Sequence, residues 1–213
     1  VSTQAPSFPQ WQKQRAEFLS HPHVQQVSPF IETEALIQSS TSLQGVLLQG
    51  IIPEFESHNI VNSNMVAGSL ESLSQGKYNV VLGRSLARQL NVAYGDKIRL
   101  VLLNKTVFTP MGRVPVQRTF TISGIFNVGS QVDDSMVYVH SKYAAKLLRV
   151  KGDGVKQLRL YLDDAFNAEQ VVEQLIQSNE ELKGQPFDFT TWITSQGVLF
   201  SSVKMEKNMM WIM

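Results

Sequence analysis

The stretch from Asn104 to Arg118 constrains the fold more than any other part of this chain. It joins two segments that read as strands, Ile98 to Leu103 and Thr119 to Phe126, and it carries Pro110 and Pro115. Proline has no amide hydrogen, so neither position can donate to a central sheet ladder. The stretch must therefore leave the sheet as a long hairpin or arm. Its apolar members, Val107, Phe108, Met111, Val114 and Val116, have no evident core to enter. Such an arm either marks an interaction site or folds back over its own domain. Methionine suits a contact of variable shape, because its side chain is flexible and polarizable.

Charge is distributed unevenly around this arm. From Ala16 to Gly76 there is no Lys or Arg, only six Glu; from Lys77 to Arg118 eight basic residues face Asp96 alone, a net +7. The block is either a solvated face or an electropositive docking surface. Nucleic acid is not its partner, because Tyr78, Tyr94 and Phe108 form no stacking series. With 213 residues, 43% hydrophobic, the chain can bury a real core. Zero cysteines exclude a disulfide framework, thiol chemistry and thiolate metal sites.

Local patterning gives an α+β class. Ser7 and Pro9 open a helix to Leu19 with Trp11, Phe18 and Leu19 on its buried side. Val24 to Ser39 and Leu43 to Ile52 read as strands, and Pro53 to Leu73 as irregular with short helical turns. Tyr78 to Leu82 is a strand, Ser85 to Leu90 a helix stopped by Asn91, and Val137 to Val139 a strand before a helix capped by Ser141. After the turn Gly152-Asp153-Gly154, Leu158, Leu160 and Leu162 alternate as a half-buried strand. A helix with Val171, Val172, Leu175 and Ile176 on its apolar face follows, then a strand from Phe187 to Trp192. The run Met205 to Met213 is either a terminal helix packing on the core or the first turns of a membrane span. The longest charge-free run, Ala35 to Pro53, is too rich in Gln, Ser and Thr to cross a bilayer.

The residues offer little chemistry. Gly45 and Gly50 have phosphate-loop spacing, but Ile51 and Ile52 stand where Lys and Ser/Thr are needed. There is no Gly-x-Ser-x-Gly elbow. His21 and His23 lack a third metal ligand nearby in sequence. Asp133-Asp134 and Asp163-Asp164 are adjacent pairs, and neighbouring residues rarely aim at one substrate, so both are read as turn residues. No catalytic residue, metal site or cofactor is expected.

Phe108-Thr109-Pro110-Met111-Gly112-Arg113, then Pro115 and Gln117-Arg118, with the ending Met205-Glu206-Lys207-Asn208-Met209-Met210, resemble the LolC/LolE family. These are membrane subunits of the lipoprotein-releasing ABC transporter of Gram-negative bacteria. Gly76-Lys77-Tyr78-Asn79-Val80-Val81-Leu82-Gly83 and Gly95-Asp96-Lys97-Ile98-Arg99 fit the same family and the looser pattern of MacB-type periplasmic domains. The resemblance implies a MacB-like periplasmic domain with a discontinuous Porter subdomain (residues 1–52 and 155–204). A β-rich Sabre subdomain (53–154) would be inserted in it, carrying a protruding hairpin, and residues 205–213 would start a transmembrane helix.

The same resemblance implies a role for the arm. It would be a hook, residues 105–115, that captures the soluble periplasmic lipoprotein carrier LolA. The hook residues are Phe108, Thr109, Pro110, Met111, Gly112, Arg113, Val114 and Pro115, and a polar pad of Arg99, Gln117 and Arg118 also contacts the carrier. The implied location is the inner membrane, this domain facing the periplasm. The implied partners are a cytoplasmic ATPase subunit, a second membrane subunit and the lipoprotein substrates. A MacB-like mechanotransmission domain that binds no carrier is the alternative.

Overall fold

The computed structural model describes residues 2–3, 11–109, 112–150, 155–178, 187–188 and 190. In chain order these form β1 (Ser2–Thr3), α1 (Trp11–Leu19), β2 (Val24–Gln38), β3 (Leu43–Ile51), α2 (Ile60–Ser63), β4 (Met65–Gly68) and α3 (Ser72–Gln75). Then come β5 (Asn79–Gly83), α4 (Arg84–Leu90), β6 (Lys97–Thr109), β7 (Gly112–Phe126), α5 (Val132–Ser135), β8 (Met136–His140) and α6 (Ser141–Leu148). The last elements are β9 (Gln157–Leu162), α7 (Ala168–Ser178) and β10 (Phe187–Asp188). The class is α+β, as the patterning indicates.

One long strand organises the sheet. β2 pairs with β9 through its first half, with β3 from Phe30 to Gln38, and with β6 at its last three residues. β3 then runs parallel to β8, β8 antiparallel to β5, β5 parallel to β7, and β7 antiparallel to β6. The path β2-β3-β8-β5-β7-β6 returns to β2, so these strands close into a ring. Closure removes most of the free edges that an open sheet would present.

The ring encloses the largest core. Ile31, Ala35 and Ile37 of β2, Val46 and Leu48 of β3, Ile98, Leu100 and Leu102 of β6, and Phe120 and Ile122 of β7 all turn inward. Helices α4 and α6 add Leu86, Leu90, Ala144 and Leu147. Alternation along β6 is regular, with Ile98, Leu100 and Leu102 buried and Lys97 and Arg99 exposed, as a one-sided strand requires. At Gly50 a Cβ would press on the Ala144 Cβ and lie 2.7 Å from Ile31 Cγ2, so the bare backbone lets α6 approach. A second cluster joins the two ends of the chain: Trp11 and Phe18 of α1, Val24 and Val27 of β2, Val155, Leu158 of β9, and Val171 and Leu175 of α7. A third, with Leu70, Leu73, Val81, Phe126 and Tyr138, lies beneath α2 and α3.

Several sequence expectations change here. Met65–Gly68, within the region read as irregular, is a strand created by its pairing with β7. The cap of α6 is His140, whose Nδ1 accepts the Lys142 amide at 3.1 Å; Ser141 is the first helical residue. Of the apolar residues assigned to the arm, Val116 is 8% exposed and belongs to the core. Leu19 and Val172 are only half-buried, and Ile176 is 36% exposed. Asn91 does stop α4, in the left-handed region at φ 52°, with its amide bonded to the Arg88 carbonyl. Of the strand expected at 187–192, Phe187–Asp188 is seen as a strand and most of the remainder lies outside the described residues. The 152–154 turn, the helix start at Ser7 and the run 205–213 also fall outside them. Among the described residues no helix is long and apolar enough to cross a membrane.

Candidate functional site

The arm begins where the ring stops. β6 leaves β2 after Val101, and β7 pairs with β5 only from Thr121 onward. Beyond the pair Leu102–Val116, β6 and β7 pair only with each other, in the register Thr106–Pro115, Val107–Val114, Phe108–Arg113 and Thr109–Gly112. Residues 103–105 of β6 have no counterpart on β7, and Pro115 stands at this irregularity. That is where proline fits, because a bulge frees it from the duty of donating to the ladder. The two-stranded portion reaches roughly 10 Å at the usual rise per strand residue.

Burial changes at the same boundary. Leu102 is 1% exposed and Val116 8%, whereas Lys105, Thr106, Gly112, Val114 and Pro115 are all exposed. Gly112 has φ +115° with open space around a would-be Cβ, so the glycine serves backbone conformation and not packing. Phe108, Thr109 and Arg113 are held in strand geometry; Pro110 and Met111 lie outside the described residues.

The pad residues divide between two faces. Arg99 is opposite Thr119, and Gln117 opposite Val101, so Arg99 and Gln117 share the outer face of the β6–β7 ladder. Arg118 is opposite Leu100 on the other face. Its guanidinium stands 5.9 Å from the Tyr78 ring centroid, and Tyr78 in turn lies against Phe120 and Tyr143 at 5.4 and 4.7 Å. The family resemblance groups these three residues as one pad; strand register puts Arg99 and Gln117 on one face and Arg118 on the other.

The structure also contains a buried polar network that sequence reasoning missed. Glu56, fully buried, accepts from Asn59 Nδ2 at 2.8 Å and from the Tyr161 hydroxyl at 3.1 Å. Arg159 donates to Gln49 Oε1 at 3.1 Å, and Gln49 Nε2 donates to Glu32 at 2.6 Å. The Arg159 guanidinium also lies 4.5 Å from the Phe30 ring centroid. Burial pushes the Glu56 carboxyl above its ordinary range, opposed by Arg159 and by the two hydrogen bonds. Burial likewise pushes Tyr138 up to about 12. For Arg159, burial disfavours the charge, but Tyr161 and Glu56 outweigh it and hold the guanidinium ionised. The network ties β9 to β3 and to the segment that leaves it. Only an arginine alternating with leucines in β9 hinted at it.

The remaining titratable candidates have structural partners. His21 Nε2 meets Gln174 Oε1 at 3.0 Å, and His23 Nδ1 meets Asp163 at 3.0 Å. The His23 hydrogen bond holds Asp163 below its usual range. Asp164 accepts the Phe166 amide at 2.9 Å. Asp133, only 4% exposed, accepts the amides of Val128, Gly129 and Ser130 at 2.8, 2.6 and 3.3 Å, while Asp134 receives Ser85 Oγ and Gln89 Nε2. Among the described residues no three His, Asp or Glu side chains gather as a metal site.

Residues 2–178 match the MacB-like periplasmic core domain model. The lipoprotein-releasing system transmembrane protein LolC of Xylella fastidiosa (strain Temecula1) is 36% identical over 215 residues, covering 100% of this chain and 50% of that protein. The LolC of Haemophilus influenzae is 31% identical, covering 89% and 46%, and its LolE is 23% identical, covering 97% and 49%. The chain thus spans about half the length of these relatives. In fold it is similar to the extracellular domain of the ABC-type transporter YknZ, with TM-score 0.55 and 11% identity over 84% of this chain and 86% of that one. The periplasmic region of MacB from Actinobacillus actinomycetemcomitans superposes with TM-score 0.54 and 16% identity, covering 88% and 81%. The expected MacB-like fold is therefore the fold of this chain.

Proposed function

Starting from a chain that belongs to the MacB-like periplasmic core domain family, we propose that it is the periplasm-facing domain of a LolC-type membrane subunit that recruits a soluble lipoprotein carrier. The observation that carries this reading is the β6–β7 arm. Two strands that pair with nothing but each other extend past a closed ring as far as the pair Thr109–Gly112, and the sequence between these residues, Pro110-Met111, belongs to the stretch that resembles the LolC/LolE family. A β-hairpin without a core beneath it is marginal alone. Its retention makes sense where a partner covers it.

In this reading Phe108 to Pro115 form a hook whose apolar tip enters the hydrophobic lipid site of a LolA-type carrier. Arg99, Gln117 and Arg118 orient the carrier, since a charged rim sets approach and register while apolar anchors supply affinity. Residues 1–52 and 155–204 form the Porter-like part, 53–154 the Sabre-like part, and 205–213 begin a membrane helix. ATP hydrolysis belongs to a separate cytoplasmic subunit, a second membrane subunit completes the transporter, and lipoproteins leaving the inner membrane are the cargo. This chain supplies docking and no catalysis.

The test is calorimetry of the chain with purified LolA-type carrier at two salt concentrations. Met111→Asp places a charge in an apolar contact and is expected to weaken binding by about 2–4 kcal/mol. Unchanged affinity in that variant refutes the hook. A MacB-like mechanotransmission role has its own support in the Glu56–Arg159 network, which links β9 to the segment after β3. Complete absence of carrier binding would transfer the assignment to it.

A further inference from the structure

The two strands of the arm are matched unequally at its base. Between the pairs Leu102–Val116 and Thr106–Pro115, β6 inserts three residues, 103–105, where β7 inserts none. At about 3.3 Å of rise each, they add on the order of 10 Å of chain to one strand only. Such a pair cannot run straight, because an insertion on one strand bends the ladder and increases its twist. The sequence supplies both halves of the irregularity. Asn104 is of a type disfavoured in strands. Pro115 brings no amide to the ladder and a φ fixed at about −65°.

The two sides of this bend differ. Below it, Leu102 and Val116 belong to the largest core, so the base of the arm cannot tilt without opening that core. Above it, Lys105, Thr106, Val114 and Pro115 are exposed, and among the described strands β6 and β7 pair there only with each other. No third strand therefore sets the direction of the arm. Register places Thr106 and Pro115 on the ladder face of Arg99 and Gln117. Arm and pad thus share one face, with the bend between them.

We infer that the three-residue insertion opposite Pro115 is a positioning device: it presets the angle between arm and ring, so that arm and pad meet one partner surface together. The inference rests on the carrier-docking reading and adds to it what makes two separate contacts fit a single protein. One side of the bend is chain freed from the ladder, and the other is a proline whose backbone is already restricted, so holding the angle costs little entropy. A preset angle favours binding, because the partner does not have to order the arm as it docks. In this role Pro115 is a positioning residue, acting through the ladder.

Deletion of residues 103–105 isolates the angle. Thr106 then follows Leu102 directly, as Val116 follows Pro115, so every pair from Ile98–Phe120 to Thr109–Gly112 is kept and no residue changes face. The chain has no cysteine, so Ser40→Cys with Val114→Cys, both at exposed positions, gives a unique pair of spin labels on the β2–β3 turn and the arm. Their separation, read by double electron–electron resonance, should shift on deletion by at least one residue's rise, about 3.3 Å. In calorimetry with purified LolA-type carrier, the unlabelled deletion should weaken binding roughly tenfold or more, with unchanged circular dichroism. Asn104→Ala with Lys105→Ala keeps the insertion and should bind within about twofold of the parent. Pro115→Val keeps the chain length, restores an amide and frees φ; it should broaden the label distances and weaken binding by a smaller factor.

If the parent binds and Met111→Asp abolishes binding while the deletion binds like the parent, the insertion positions nothing and the hook stands. Equal weakening by the alanine pair would make residues 103–105 a contact surface and overturn the inference, as would a label separation that the deletion leaves unchanged. Should the deletion fail to fold, Pro115→Val decides, and label distances and affinity both equal to the parent's refute the device. If the parent binds no carrier, hook and device fall together.

Discussion

Replacing Arg159 by Met tests whether the buried network holds β9 to the rest of the sheet. The substitution keeps the apolar stem and removes the guanidinium. The substitution removes the 3.1 Å donation to Gln49, the hydrogen bond with Tyr161, the 4.5 Å approach to the Phe30 ring, and the attraction to the fully buried Glu56. A charge-assisted hydrogen bond contributes about 1.5–3 kcal/mol and a partly exposed cation–π contact about 0.5–1 kcal/mol. Breaking a fully buried pair costs about 3–5 kcal/mol, because the surviving charge is left without compensation. Arg159 itself is half-buried, which brings the expectation to ~3 kcal/mol. In urea, at about 2 kcal/mol/M, the unfolding midpoint should fall by roughly 1.5 M. Adding Glu56→Gln removes the stranded carboxylate, so the double variant should recover part of the loss, with coupling of about 1–3 kcal/mol. A midpoint shift below about 0.3 M, or strict additivity of the two substitutions, would show that the network carries no net stability.

Other expectations follow from single sites. His140→Ala removes the cap of α6 and should cost about 1 kcal/mol, while His140→Ser restores an acceptor and most of the loss. Burial lowers the His140 pKa, so its neutral form stabilises the fold above pH ~6.5 and that contribution is lost as pH falls through the folded value. A pH series of melting curves should therefore slope less for His140→Ser than for the parent on the acid side of neutrality. Glu56 titrates with the opposite sign. Its raised pKa gives stability below the ordinary carboxylate range that is lost as pH rises through the folded value, so the stability of the parent relative to Glu56→Gln should decline with pH; a rise would mean that Arg159 dominates over burial. Asp133→Ala frees three amides of the 128–130 loop and should destabilise by about 2–3 kcal/mol in thermal or chemical unfolding.

Local pattern alone fixed the elements whose causes are local. The alternation of Ile98, Leu100 and Leu102 made β6 a one-sided strand, Asn91 stopped α4 because it tolerates the left-handed region, and Pro110 with Pro115 forced the intervening chain out of any central ladder. The net +7 segment, too, is a property of order along the chain. What pairs with what was settled only in three dimensions. Met65–Gly68 is too short to declare itself and is a strand because β7 offers it a ladder. Val116 is core while Val114 is exposed, since the ring ends between them. Arg118 parts from Arg99 and Gln117 because neighbouring strand residues point to opposite faces and register decides which face is buried. Glu56 and Arg159 are far apart in sequence, and no spacing rule connects them; their network exists because β9 pairs with the first half of β2, along which the segment leaving β3 also runs, and a charge taken from water there must find partners. Periodicity specifies the face a residue prefers, and only closure of the sheet specifies what that face meets.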